Sequence, residues 1–201
     1  MRFFFSFISY LFHPLFVPIG GTLAYFLITP KYSPLEIQSG NILPIFILTV
    51  IVPIVSYLIL KNLGMVSTVH VPTLAERKYP LYIYILILFM ILYKVIPNNY
   101  IVELYFFFVG LLASAFACLL LLFFNLKVSM HLTGMGAILM YLIALSIHFE
   151  INIIIAISLC TLILGLVATS RIYLKAHSKS ELVVGLFIGL LCQLLTVKFW
   201  L

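Results

Sequence analysis

Long apolar runs, broken by short polar stretches, set the pattern of this chain. A helix needs roughly 20 apolar residues to cross a bilayer, and runs of that order recur along the sequence. They predict helices over Leu15 to Thr29, Ile42 to Leu60, Leu81 to Ile96, Ile101 to Leu126, His131 to Phe149, Ile151 to Ser170 and Leu182 to Trp200. The first has room to begin earlier, with Phe3 to Phe12 at the membrane interface ahead of His13-Pro14. Lys31 to Asn41 and Lys61 to Pro80 are the substantial loops. Pro97-Asn98-Asn99 and the junction at Glu150 read as tight turns. Strand-like alternation of the kind that builds membrane barrels is missing.

Composition sharpens this to one class. The chain has 201 residues, 65% hydrophobic and 8% charged, with a mean hydropathy of +1.30. Such apolar runs cannot be hidden inside one soluble core. The expected fold is an all-α, polytopic integral membrane helical bundle of about six to seven transmembrane helices, forming one domain over 1–201. The first apolar run, preceded by a lone Arg2 and followed by no small-residue cleavage site, reads as a retained helix and not a cleaved signal peptide. Cys118, Cys160 and Cys192 lie far apart inside apolar segments, a pattern of small buried side chains with no disulfide or metal-site spacing. Gly185-x-x-x-Gly189 reads as a helix-packing element.

The net charge of +6 has nothing beside it to support nucleic-acid binding; it fits membrane orientation and an anionic partner. Seven crossings put Arg2, Lys61, Arg77, Lys78, Lys127, Arg171, Lys175 and Lys179 on the face of the N-terminus. The positive-inside rule makes that face cytoplasmic, and the expected location is a bacterial inner membrane. His13, His70, His131 and His177 fall on that same face, with His148 opposite. Read singly, His13 and His70 are interfacial residues, and His148-Phe149-Glu150 is a local polar turn.

Chemistry concentrates in Ser170-Arg171-Ile-Tyr-Leu-Lys-Ala-His177-Ser-Lys-Ser-Glu181. A helix beginning near Ala176 would place His177 and Glu181 four residues apart on one face. The carboxylate could then hold one imidazole nitrogen, fix the tautomer and raise the basicity of the other. Arg171 offers a planar fork of donors matched to phosphate oxygens. Aspartate does not occur in the sequence, so carboxylate chemistry falls to the five glutamates.

Here the chain resembles the type 2 phosphatidic acid phosphatase superfamily of membrane lipid phosphatases, as a divergent member. That family's third motif, Ser-Arg-x5-His-x3-Asp, is matched by Ser170-Arg171-x5-His177-x3-Glu181, with Glu for Asp. Its second motif, Pro-Ser-Gly-His, corresponds to Val128-Ser129-Met130-His131, where Ser and His keep their spacing. Its first, Lys-x6-Arg-Pro, is met only loosely by Arg77-Lys78-Tyr79-Pro80. A helical hairpin separates each pair of motifs, so all three return to one face. The resemblance implies a phosphatase-like core over about 77–200. It implies His177 as nucleophile, Glu181 as its partner and His131 as general acid. Arg171, Arg77, Lys127, Ser129 and Ser170 would bind the phosphate. The implied activity is metal-independent hydrolysis of a lipid phosphate or diphosphate through a phosphohistidine, with no cofactor. The partners would be the membrane lipid phosphate and the bilayer.

Two other readings stay open. The departures from the motifs also suit a catalytically degenerate phosphatase fold acting as subunit of a membrane complex. The same-face histidines also suit a His-ligated metal or haem membrane protein.

Overall fold

A computed structural model describes residues 1–67, 74–96 and 101–201 of the chain. The described residues are built from α-helix without strand, and seven helical spans are long and apolar enough to cross a membrane. The protein is an all-α integral membrane bundle.

The first span joins α1 (Arg2–Leu11) through a 3-10 turn (Pro14–Phe16) to α2 (Val17–Ile28). Its break falls at Phe12–Pro14. Proline 14 cannot continue a helical ladder into α1, and the His13 ring caps the new turn by accepting the Leu15 N–H at 3.3 Å. The second span is α3 (Leu35–Phe46), a π-helical turn (Ile47–Ile51) and α4 (Val52–Asn62). Pro44 and Pro53 each remove a ladder donor here, and the widened turn lies between them. α5 (Leu74–Met90) continues through a second π-helical turn (Ile91–Val95). α6 (Val102–Phe123), α7 (Met130–His148), α8 (Ile154–Tyr173) and α9 (Lys179–Val197) each cross alone.

Two expected loops are shorter than the sequence suggested. α3 begins at Leu35, not after Asn41, because Pro34 presets the backbone just outside the first turn and Glu36 favours its N-terminal dipole. α5 begins at Leu74, and Pro80 lies inside it rather than closing the loop before it. The turn at Pro97-Asn98-Asn99 and the side chain of His70 lie outside the described residues.

The later helices stop in a common way. Asn125, Glu150 and Lys175 adopt positive φ just past α6, α7 and α8. In each case the next N–H reaches back five residues: Leu126 to Leu121, Ile151 to Ser146, and Ala176 to Arg171. This is the Schellman stop, and it turns the chain within a few residues. The junction at Glu150 is therefore the tight turn expected.

α7 is the most buried span, held between α6 and α9. Helices in lipid gain little from apolar contact alone, so close approach depends on small residues. A Cβ at Gly189 would lie 2.0 Å from the Thr133 carbonyl, and one at Gly185 would lie 2.7 Å from that of Ser129. The Gly185-x-x-x-Gly189 pair is the α7–α9 crossing. On the other side of α7, Phe107 stacks on Tyr141 at 4.5 Å, and both are fully buried. Gln193 fixes α9 to α6 by donating to the Phe107 carbonyl at 2.8 Å. Cys118 and Cys160 are buried, Cys192 is half-buried, and all three are free thiols.

Candidate functional site

The α7–α9 crossing sets the N-terminal turn of each helix beside the other. Ser129, the residue before α7, donates its N–H to the Glu181 carbonyl at 3.3 Å. Lys127, in the loop before it, donates to the Ala176 carbonyl at 2.7 Å, so the α6–α7 and α8–α9 loops are tied together. The Lys127 ammonium also lies 3.8 Å from Glu181 Oε2.

His177 Nδ1–H donates to Glu181 Oε2 at 2.6 Å. The contact anticipated between these two residues is present, but not along a helical face. α9 starts at Lys179 and Ser178 is its N-cap, accepting the Glu181 N–H at 3.3 Å. His177 therefore precedes the cap, and Glu181 reaches back across it. A helix from Ala176 would have left the α8 stop no room, since the Ala176 N–H is already taken by the Arg171 carbonyl. With Nδ1–H fixed, Nε2 carries the lone pair. The side chain is 3% exposed, and burial pushes its pKa down to about 4. The Glu181 hydrogen bond opposes that shift, while Lys127, Arg171 and Arg77 reinforce it. His177 is therefore neutral at neutral pH.

The other imidazole sits nearby on α7. His131 is buried, and its charge interacts with those of Arg171, His13 and His177. Its Nε2–H donates to the Ser9 carbonyl at 3.1 Å. His13 packs edge-on against it with ring centroids 5.3 Å apart, so His13 is part of this cluster and not a free interfacial residue. Arg171, in the last turn of α8, donates from Nη1 to Ser9 Oγ at 2.6 Å. Arg77, in the first turn of α5, is close enough for its charge to act on Arg171, Lys127, His177 and Glu181. Burial of Lys127 and the cations beside it lower that lysine's pKa, against the pull of Glu181.

Seven of the eight residues singled out in sequence thus converge at one end of the bundle with open roles: His177, His131, Glu181, Arg171, Arg77, Lys127 and Ser129. Ser129 Oγ and the Nε atoms of Arg77 and Arg171 are buried without a hydrogen-bond partner among the described residues. Ser170 is the eighth. Its hydroxyl donates to the Phe5 carbonyl at 2.7 Å, which makes it a tie between α8 and α1. No group of three or more His, Cys, Asp or Glu side chains with metal-holding geometry occurs among the described residues.

Sequence reasoning missed Ser9, which touches both Arg171 and His131. It also missed a second polar cluster at the far end. There Glu103, 2% exposed at the start of α6, accepts hydrogen bonds from Lys31 and, at 3.2 Å, from the Tyr25 hydroxyl. His148 Nε2 lies 3.3 Å from the same carboxylate, so that histidine belongs to a long-range cluster and not to a local turn. The one signal available was a lone glutamate within the apolar run of α6.

No protein-family model, curated protein or solved structure matches this chain.

Proposed function

We propose that this protein is a membrane-embedded phosphatase that hydrolyses a lipid phosphate through a phosphohistidine, a divergent relative of the type 2 phosphatidic acid phosphatases. The observation that carries the reading is the charge balance at the site. Three cations, Arg77, Lys127 and Arg171, gather around two histidines and a single carboxylate. Glu181 is already engaged by His177, so the cluster retains an excess of half-buried positive charge, and donors at Ser129 Oγ and the two arginine Nε atoms without a partner among the described residues. A phosphate dianion supplies what that arrangement lacks. A lipid phosphate brings the anion to the membrane boundary while its chains stay in the bilayer.

The chemistry then follows. The neutral His177 attacks phosphorus through Nε2 as the bond to the lipid oxygen breaks. Its Nδ1–H remains on Glu181, which offsets the positive charge that develops on the ring. Arg171, Arg77 and Lys127 neutralise the equatorial oxygens, and the Ser129 hydroxyl is free to donate to one of them. His131 takes up a second proton on Nδ1 as the phosphate dianion binds beside it, and gives that proton to the departing alkoxide while Nε2–H stays on the Ser9 carbonyl. It recovers that proton from the water that later cleaves the phosphorus–nitrogen bond, releasing inorganic phosphate and restoring His177.

The test is phosphate release by the purified protein from phosphatidic acid, phosphatidylglycerophosphate and a polyprenyl diphosphate in mixed micelles. The expected activity persists in chelator, is inhibited by vanadate and falls at least about 1,000-fold in His177→Ala, as removal of a covalent nucleophile does. Activity that needs a metal and survives His177→Ala would refute the proposal. So would an absence of turnover on every substrate, accompanied by a stoichiometric partner protein.

A further inference from the structure

The helix α1 carries Arg-Phe-Phe-Phe-Ser-Phe-Ile-Ser-Tyr-Leu and looks at first like an interfacial anchor. Its aromatic side chains Phe3, Phe4, Phe7 and Tyr10 are exposed, as a lipid-facing surface requires. The opposite face is not explained that way. Phe5, Ser9 and His13 recur every four residues and all meet the polar end of the bundle. The Phe5 carbonyl accepts from Ser170, Ser9 meets Arg171 and His131, and His13 stacks edge-on against His131.

The chemistry of Ser9 is specific. A serine hydroxyl inside a helix ordinarily turns back to the carbonyl four residues earlier. In this helix that carbonyl is Phe5, and it is occupied by the Ser170 hydroxyl from α8. Ser9 Oγ instead accepts Arg171 Nη1 at 2.6 Å, and it also lies 3.4 Å from His131 Nε2. The Ser9 carbonyl is likewise released from the helical ladder. α1 ends at Leu11, and the His13 N–H bonds to the Tyr10 carbonyl. This orphan C-terminal acceptor is satisfied by His131 Nε2–H at 3.1 Å. The shorter of the two His131 contacts is the one to the carbonyl, and Ser9 is 6% exposed, so all three contacts are sheltered from water.

We propose that Ser9 is a positioning residue of the anion site, its hydroxyl aiming the Arg171 guanidinium and its carbonyl holding the His131 ring with Nδ1 left for proton exchange. The helix α1 is then a wall of the site as well as an anchor. This inference rests on the reading of the cluster as a phosphate site, and the experiment separates the two.

The full-length protein in detergent is titrated with inorganic phosphate by calorimetry, comparing wild type, Arg171→Ala, Ser9→Ala and Ser9→Thr. Wild type binds phosphate and Arg171→Ala abolishes that binding. Ser9→Ala weakens it about tenfold, the effect of losing a hydrogen bond to a charged group. Ser9→Thr keeps the hydroxyl and binds within about threefold of wild type. Nitrogen-15 spectra of the histidines give the second readout. Ser9→Ala retains its backbone carbonyl, so His131 stays protonated at Nε2 while affinity falls. If wild type binds no phosphate, or binds it regardless of Arg171, the anion-site reading itself fails. If binding requires Arg171 but Ser9→Ala matches or exceeds wild type, Ser9 does not position the guanidinium. Loss of the His131 signature in Ser9→Ala, or failure of threonine to rescue, would make Ser9 a peg that merely docks α1, and would equally overturn the inference.

Discussion

Replacing Gly189 by alanine tests whether the site depends on the contact between α7 and α9. The added Cβ would lie 2.0 Å from the Thr133 carbonyl oxygen and 2.8 Å from the Ala137 nitrogen, whereas ordinary contact begins at 3.4 Å. Both obstacles are backbone atoms within a helix, and no rotamer change moves them. The helices must separate by roughly 1.4 Å at this point, the gap between 3.4 and 2.0 Å. Overpacking of this kind costs about 1–3 kcal/mol, and more where backbone has to shift. The displacement carries to the site, because Ser129 precedes α7 while Glu181 opens α9, and their backbones are hydrogen-bonded. His177 and His131 would move apart with them. Gly165→Ala is the matched control: nothing lies within 4 Å of a Cβ there, and alanine favours a helix more than glycine does. Thermal unfolding in detergent and phosphate titration read the two consequences separately. Gly189→Ala is expected to lower the unfolding temperature by several degrees and to weaken phosphate binding, with Gly165→Ala neutral or stabilising. Equal behaviour of the two variants in both assays would refute the argument that this crossing builds the site.

Two further outcomes follow from the charged groups. His177 is held near a pKa of about 4 against an ordinary 6.5, so the unfolded chain takes up its proton first as pH falls. The stability this group contributes is complete above about pH 6.5 and is lost progressively toward pH 4. Unfolding temperature against pH should therefore drop over that interval in wild type and drop less in His177→Gln; indistinguishable profiles would contradict the burial argument. At the opposite end, Glu103→Gln removes the charge shared by Lys31 and His148. The Lys31 side chain is 45% exposed and can rehydrate, so the loss should be about 1–3 kcal/mol, below that of a fully buried pair. Phosphate affinity should not change, and a parallel fall in affinity would show the two ends to be coupled.

The fold was largely legible because a bilayer leaves few alternatives: every backbone polar group in lipid must be satisfied within its own segment. Hydropathy therefore located the spans, and it failed where local chemistry overrode it. Pro80 has the appearance of a breaker, yet it sits early in α5, after Glu76-Arg77-Lys78-Tyr79, and the apolar run from Leu81 onward carries the helix forward. Pro34 reads as loop and instead is the N-cap on which α3 opens at Leu35. Neither outcome follows from apolar content.

The polar site was legible to the extent that it is local. His177 and Glu181 are four residues apart, and short hairpins return Ser129, His131 and Arg171 to the same end. The longer arm of glutamate is accommodated by the cap itself. Ser178 holds the Glu181 backbone, which leaves the side chain pointing back over the cap to an imidazole 2.6 Å away. Ser9 and Glu103 were not legible, because their partners lie 162, 122 and 72 residues away and nothing in an isolated apolar segment specifies a distant neighbour. The same limitation contains information. A polar side chain in lipid is costly unless it is paired. A serine can meet that need within its own helix, as Ser114 does by donating to the Gly110 carbonyl, but a glutamate cannot, so a lone Glu inside an apolar run implies a partner on another segment. Glu103 obeys that rule and ties α6 to the Lys31–His148 end, whereas Ser9, which ties α1 to the basic end, is set apart from Ser114 only by the structure.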